Sequence, residues 1–138
     1  AHAVLREHGV GAGYVNLGGD IRVVGPQPDG RPWRFAIQHP RDPGAAVASV
    51  SLADGALATS GDYERYVEVA GRRYCHVLDP RTGWPVEAWR SISVSAPLCA
   101  AAGALCTIAM LRGAGATDFL AAQGVDFLAI DAAGRLHR

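Results

Sequence analysis

No lysine occurs anywhere in the 138-residue chain; all thirteen basic residues are arginines. Beside a high content of Ala, Gly and Pro, that absence reflects coding bias more than chemistry. There is no excess of charge of either sign, since thirteen acidic residues balance the thirteen arginines. No global field therefore recruits nucleic acid or an anionic membrane, and no nucleic-acid partner is expected. Cysteine is sparse. Cys75, Cys99 and Cys106 cannot all pair within the chain and show no C-x-x-C or zinc-like spacing, so buried thiols are the default. The longest apolar run, SAPLCAAAGALCTIAML, falls short of the ~20 residues of a membrane span. Nothing resembles a signal peptide, but the chain opens on Ala1, on what reads as the tail of a helix closed near Gly9, so a cut end is expected.

What is present is enough for one domain over residues 1–138, with 49% hydrophobic residues to build a core. Strand-like segments dominate the first two-thirds. GYVNL, DIRVVG, WRFAIQH and AVASVSL are expected to be neighbouring antiparallel strands, with PQPDGRP as a hairpin connection. YERYVEV and RRYCHVL form a further hairpin about Gly71, and SISVSA follows the loop that contains Trp84. Pro97 is expected to open a helix over residues 97–112, apolar nearly all round and so buried, broken by Gly113 and Gly115 before a second helix near residues 117–123. VDFLAID and GRLHR close the chain as an edge hairpin. The class is α+β, a mostly antiparallel sheet covered by helices.

Three clusters carry the chemistry. Gly18, Gly19 and Asp20 sit at a turn where glycine permits close backbone approach and Asp20 can accept hydrogen bonds from a ribose hydroxyl or an amide, or tie its own backbone. Residues 58–63, ATSGDY, read as a small polar loop before a strand, with Thr59, Ser60 and Gly61 able to approach a phosphate or a flavin edge, or to form an ordinary turn. Residues 75–83, CHVLDPRTG, end a strand on His76 and place Asp79, Arg81 and Thr82 in one short loop. His76 can take a proton from a hydroxyl or be structural; Arg81 can hold a phosphate or pair with Asp79.

In order and spacing these clusters resemble the C-terminal half of the ApbE family, the FAD:protein FMN transferases. The matching segments are VNLGGDI (15–21), WRFAIQHP (33–40), ATSGDY (58–63) and HVLDPRTG (76–83). The resemblance implies an ApbE-like, T-fold-like architecture and a protein that binds FAD with Mg²⁺ and transfers FMN to a threonine of an acceptor protein. It implies His76 as the base, and Gly18, Gly19, Asp20, Thr59, Ser60, Gly61, Asp79 and Arg81 along the flavin site. It also suggests a bacterial periplasmic setting with a lipid anchor ahead of the segment seen here, the only expected contact with a membrane.

One departure stands out. After SISVSAP the family carries an A-D-x-x-x-T helix whose Asp and Thr, four residues apart on one face, contribute to the Mg²⁺ site. Here Thr107 keeps its place but the aspartate position is Gly103. Neither Asp118 nor Asp126 has spacing that would replace it. Three readings stay open: a flavin transferase completed by a longer chain or a partner, a degenerate member that binds flavin or protein without turnover, and an interaction domain with no cofactor.

Overall fold

A computed structural model describes residues 1–138 throughout. A short helix, α1 (His2–Glu7), leads into strands β1 (Gly13–Leu17) and β2 (Asp20–Gly25). Gly18 and Gly19 take φ of 65° and 99° between Leu17 and its cross-strand partner Asp20. A two-residue hairpin turn with both central residues at positive φ favours glycine, and it fixes Asp20 at the head of β2.

The connection PQPDGRP does not join neighbours in one sheet, as expected from sequence, but leads out to a separate ribbon, β3 (Trp33–His39) and β4 (Asp42–Leu52). The reason lies in β2, whose two edges are taken by β1 and by β5 (Ala56–Gly61). The ribbon instead lays Phe35 and Ile37 over Ile21, Val23, Leu57 and Leu128, forming one of two cores. Trp33 anchors the crossing by donating its Nε1–H to the Gly25 carbonyl at 2.9 Å.

Beyond β5 the chain makes a small hairpin, β6 (Tyr66–Val69) and β7 (Arg72–Cys75), turned at Ala70 and Gly71 and standing outside the main sheet. Strand β8 (Trp89–Ala96), helix α2 (Cys99–Arg112), a single 3₁₀ turn at Gly113–Gly115, helix α3 (Ala116–Ala122) and strands β9 (Asp126–Asp131) and β10 (Leu136–His137) complete the fold. The main sheet runs β1-β2-β5-β8-β9-β10 and every pairing is antiparallel. The architecture is therefore the expected α+β class. Side chains alternate along β8: Ile92, Val94 and Ala96 join the core under the helices, while Ser91 and Ser93 face the other way.

Helix α2 begins two residues later than expected because Leu98, in extended conformation, is its N-cap. It is not buried all round. Ala102, Cys106, Ala109 and Met110 are fully buried against the sheet, whereas Ala100, Ala104, Thr107 and Ile108 are exposed on another face. Together with α3 it forms a 24-residue stretch, Cys99–Ala122, that by length and composition alone matches a membrane span, longer than the apolar run read from sequence. Here that stretch is divided by the 3₁₀ turn and seated on the sheet, with Ala116 and Leu120 also at zero exposure. Burying side chains such as Met110 and Leu120 contributes about 1.5–3 kcal/mol each, which fixes α2 as one wall of the site described next.

Candidate functional site

The exposed face of α2 and the upper edge of the sheet enclose a cavity of about 740 Å³. Asp20, Ser60 and His76 all line it, although they lie far apart in the chain and arrive from three different elements. Gly18, Thr59, Gly61, Gly103 and Thr107 line it too, while Gly19 holds the turn behind it without lining the space.

Each side chain is placed by local structure. Asp20 heads β2 and turns toward α2, so that a Cβ built on Gly103 would lie 3.6 Å from its Oδ2. The ATSG segment is not a loop before a strand, as its polar character suggested, but the end of the central strand β5, paired residue for residue with β8. Strand alternation therefore splits its two hydroxyls between the faces. Ser60 faces α2, with Oγ 3.3 Å from Thr107 Oγ1, and the Thr107 hydroxyl donates to the Gly103 carbonyl at 3.1 Å. Thr59 faces away, its Oγ1 held 2.7 Å from Ser93 Oγ, so its hydroxyl is not presented to the cavity.

Gly61 is required by a close approach. A Cβ there would meet the Tyr63 ring at 2.5 Å and the Arg90 carbonyl at 3.0 Å. Burial, then the Glu64 and Asp62 charges, pushes the Tyr63 phenol up and keeps it neutral. Asp62 turns outward into a bidentate ion pair with Arg41, at 2.7 and 2.5 Å, which ties this segment to the β3–β4 turn.

His76 follows the last residue of β7. Its Nδ1 lies 3.0 Å from the Arg65 carbonyl oxygen, which can only accept, so Nδ1 carries a hydrogen and in the neutral ring Nε2 is the nitrogen left to accept. That is the tautomer a proton acceptor requires. The cysteines offer no competing nucleophile. Burial raises the Cys75 thiol and pushes Cys106 up to about 12, and at Cys99, which lines the cavity, burial and then the Asp20 charge act in the same direction.

Asp79 and Arg81 are not brought to this cavity. They pair with each other through two side-chain hydrogen bonds of 3.1 and 2.8 Å and line a second cavity of about 570 Å³, with Arg72, Trp84, Glu87 and Arg112. The Arg81 guanidinium, then its backbone N–H, holds the Asp79 carboxyl down at about 2. Conversely, Tyr63, Glu64 and Arg65 line the first cavity and were missed from sequence. Their signal was their position at and just after the end of ATSGDY, read only as the start of the hairpin arm YERYVEV, whose strand begins at Tyr66.

The residues present do not fit a resident Mg²⁺. A hard dication needs oxygen ligands and negative charge. Opposite Asp20 stands Gly103 with no side chain, its carbonyl takes the Thr107 hydroxyl hydrogen, and Thr107 Oγ1 is shared with Ser60. No group of three or more His, Cys, Asp or Glu side chains is suited to hold a metal. FAD is a different matter. A cavity of this volume lies within the range of about 300–1,000 Å³ usual for small-molecule sites, and its polar strand ends and apolar helix face suit a nucleotide with an aromatic ring system.

Comparison with known proteins gives consistent matches. The family model described as the ApbE family matches residues 1–129. The FAD:protein FMN transferase of Vibrio cholerae is 40% identical over 111 residues, covering 79% of this chain and 33% of the relative. Its Escherichia coli K12 counterpart is 38% identical over 112 residues, covering 80% and 32%. Among solved structures, the ApbE protein of Thermotoga maritima superposes with a TM-score of 0.86 at 35% identity, over 92% of this chain and 42% of that one. The apo flavinyl transferase ApbE of Pseudomonas stutzeri gives 0.77 at 34% identity, over 94% and 40%. The chain thus spans about a third of the length of these curated relatives.

Proposed function

The chain belongs to the ApbE family, and from that premise we propose that it forms the C-terminal part of a flavin transferase that moves FMN from FAD to a threonine hydroxyl of an acceptor protein. The observation that carries the reading is the convergence of Asp20, Ser60 and His76 on one cavity. In this account FAD is the substrate and lies along α2. His76 Nε2 takes the proton of the acceptor hydroxyl as its oxygen bonds to the FMN phosphorus; the bond from that phosphorus to the bridging oxygen breaks, and AMP leaves with the electron pair. Asp20 and the Gly18 backbone orient the substrate, and Ser60 with Thr107 presents hydroxyls to it. No step is assigned to a metal.

Gly103 favours a second reading, in which the cavity binds flavin nucleotide without turning it over. One experiment separates the two. The longer natural protein is incubated with FAD and candidate acceptors, and covalent FMN is read by in-gel flavin fluorescence. Labelling that His76→Ala abolishes supports transfer. FAD binding with no labelling of any acceptor supports the second reading. Absence of FAD binding overturns both.

A further inference from the structure

A diphosphate substrate brings about two negative charges into a cavity whose own charged side chains are Asp20, Glu64 and Arg65, with His76 beside them. Without a metal donor set, some other cation must face those phosphates. Six of the thirteen arginines are committed to carboxylates: Arg22 to Asp54, Arg31 to Asp29, Arg41 to Asp62, Arg72 to Glu87, Arg81 to Asp79 and Arg135 to Asp131. Arg65 has no ion pair and its side chain makes no hydrogen bond within the protein, yet it is the only arginine that lines this cavity.

Resting on the flavin-transfer reading, we infer that Arg65 supplies the positive charge that binds the diphosphate of the flavin nucleotide, in the role the absent Gly103 carboxylate and its metal would otherwise serve. Three features bear on this. The guanidinium is a planar donor that engages two phosphate oxygens at once and cannot be deprotonated near neutral pH. Arg65 is also the residue whose carbonyl receives the His76 Nδ1–H at 3.0 Å, so one residue both sets the tautomer of the base and carries the cation. The phosphorus to be attacked is thereby held on the same segment as the group that readies the attacker. Finally, Arg65 stands three residues from Asp62, whose bidentate pair with Arg41 anchors the segment to the β3–β4 turn. The main chain is held while the Arg65 side chain is left unpartnered.

The test is a binding measurement on the 138-residue chain in EDTA, using flavin fluorescence with FAD and riboflavin as paired probes and pyrophosphate as competitor. Wild-type protein is expected to bind FAD more tightly than riboflavin, with pyrophosphate displacing FAD and added Mg²⁺ changing the affinity less than threefold. Arg65→Ala is expected to weaken FAD binding by tenfold or more while leaving riboflavin binding unchanged, and Arg65→Lys to recover part of the loss. The inference is overturned if Arg65→Ala binds FAD as wild type does, or if it loses riboflavin and FAD in equal measure. It is also overturned if Mg²⁺ is needed for wild-type binding. Wild-type protein that binds neither probe overturns this inference, while the flavin reading itself stands or falls on FAD binding and labelling by the longer protein.

Discussion

The two larger cavities share a helix and differ in what converges on them. The first gathers residues from the β1–β2 turn, the end of β5, the segment after it, the end of β7 and the exposed face of α2. The second is built from β7, the loop after it and the C-terminal end of α2. In the second, Asp79 pairs with Arg81 and Glu87 with Arg72, and the remaining guanidinium, Arg112, lies over the Phe119 ring. The first keeps an unpaired guanidinium, an imidazole in acceptor form and a carboxylate facing a vacant Cβ position. The difference teaches that polar residues in a loop are not by themselves a site. Groups held apart from their own counter-charges are the ones left free to meet a ligand.

The strongest way to break that comparison is kinetic. In the proposed complete transferase, His76→Ala is expected to lower FMN transfer by about 10²–10⁴-fold, the usual worth of a positioned base, while Trp84→Ala in the second cavity changes it little. Equal losses in both variants, read by acceptor labelling, would erase the distinction. Next in size is the shared wall. Met110→Ala removes a fully buried side chain from α2 and is expected to cost about 2–5 kcal/mol in urea denaturation.

Smaller effects sharpen the picture of the first cavity. Gly61→Ala forces a methyl into the Tyr63 ring and the Arg90 carbonyl, an overpacking expected to cost about 1–3 kcal/mol and to weaken FAD binding. Gly103→Asp places a second carboxylate beside Asp20 Oδ2. Like charges repel there, so the variant is expected to melt below wild type in EDTA and to regain stability with Mg²⁺, while wild type shows no such response. A variant indifferent to Mg²⁺ in a thermal melt would mean that the helix position does not complete a metal site.

The smallest effect belongs to acid. Asp79 is depressed to about 2, and Asp131 is depressed as well, first by the Arg135 backbone N–H and then by the side chains of His137 and Arg135. A carboxyl with a lower pKa folded than unfolded gives stability that is present above the unfolded value, about 4, and is lost as pH falls through the folded one. The chain is therefore expected to lose stability between about pH 4 and pH 2, slightly less so in Asp79→Asn, as read by circular dichroism. The Arg81 and Arg135 side chains are largely solvent-exposed, at 80% and 77%, which keeps the change small.

Much of this was legible in the sequence because it rested on local rules. The Gly18–Gly19 turn, the Gly71 hairpin and the α+β class follow from turn chemistry and periodicity, whereas the grouping of Asp20, Ser60 and His76 was implied only by the resemblance to the ApbE family. What was not legible depended on partners distant in the chain. Nothing within WRFAIQH says that β2 already has two neighbours, so the β3–β4 ribbon crosses to the other face instead of extending the sheet. Thr59 and Ser60 look equivalent until strand pairing sends one to Ser93 and the other to Thr107. Arg81 had two readings from sequence, a phosphate ligand or a partner of Asp79, and the structure shows the pair with Asp79. The apolar character of α2 suggested full burial, but one of its faces is cavity wall.

The central claim, that the first cavity and not the second takes the flavin nucleotide, is tested most directly by titrating FAD into the ¹⁵N-labelled 138-residue chain and following amide shifts. The changes are expected to concentrate at Gly18, Asp20, Ser60, Gly61, Arg65, His76, Gly103 and Thr107, with Arg72, Arg81, Trp84 and Arg112 unmoved. Shifts centred on Trp84 and Arg112, with Asp20 and Ser60 silent, would contradict it.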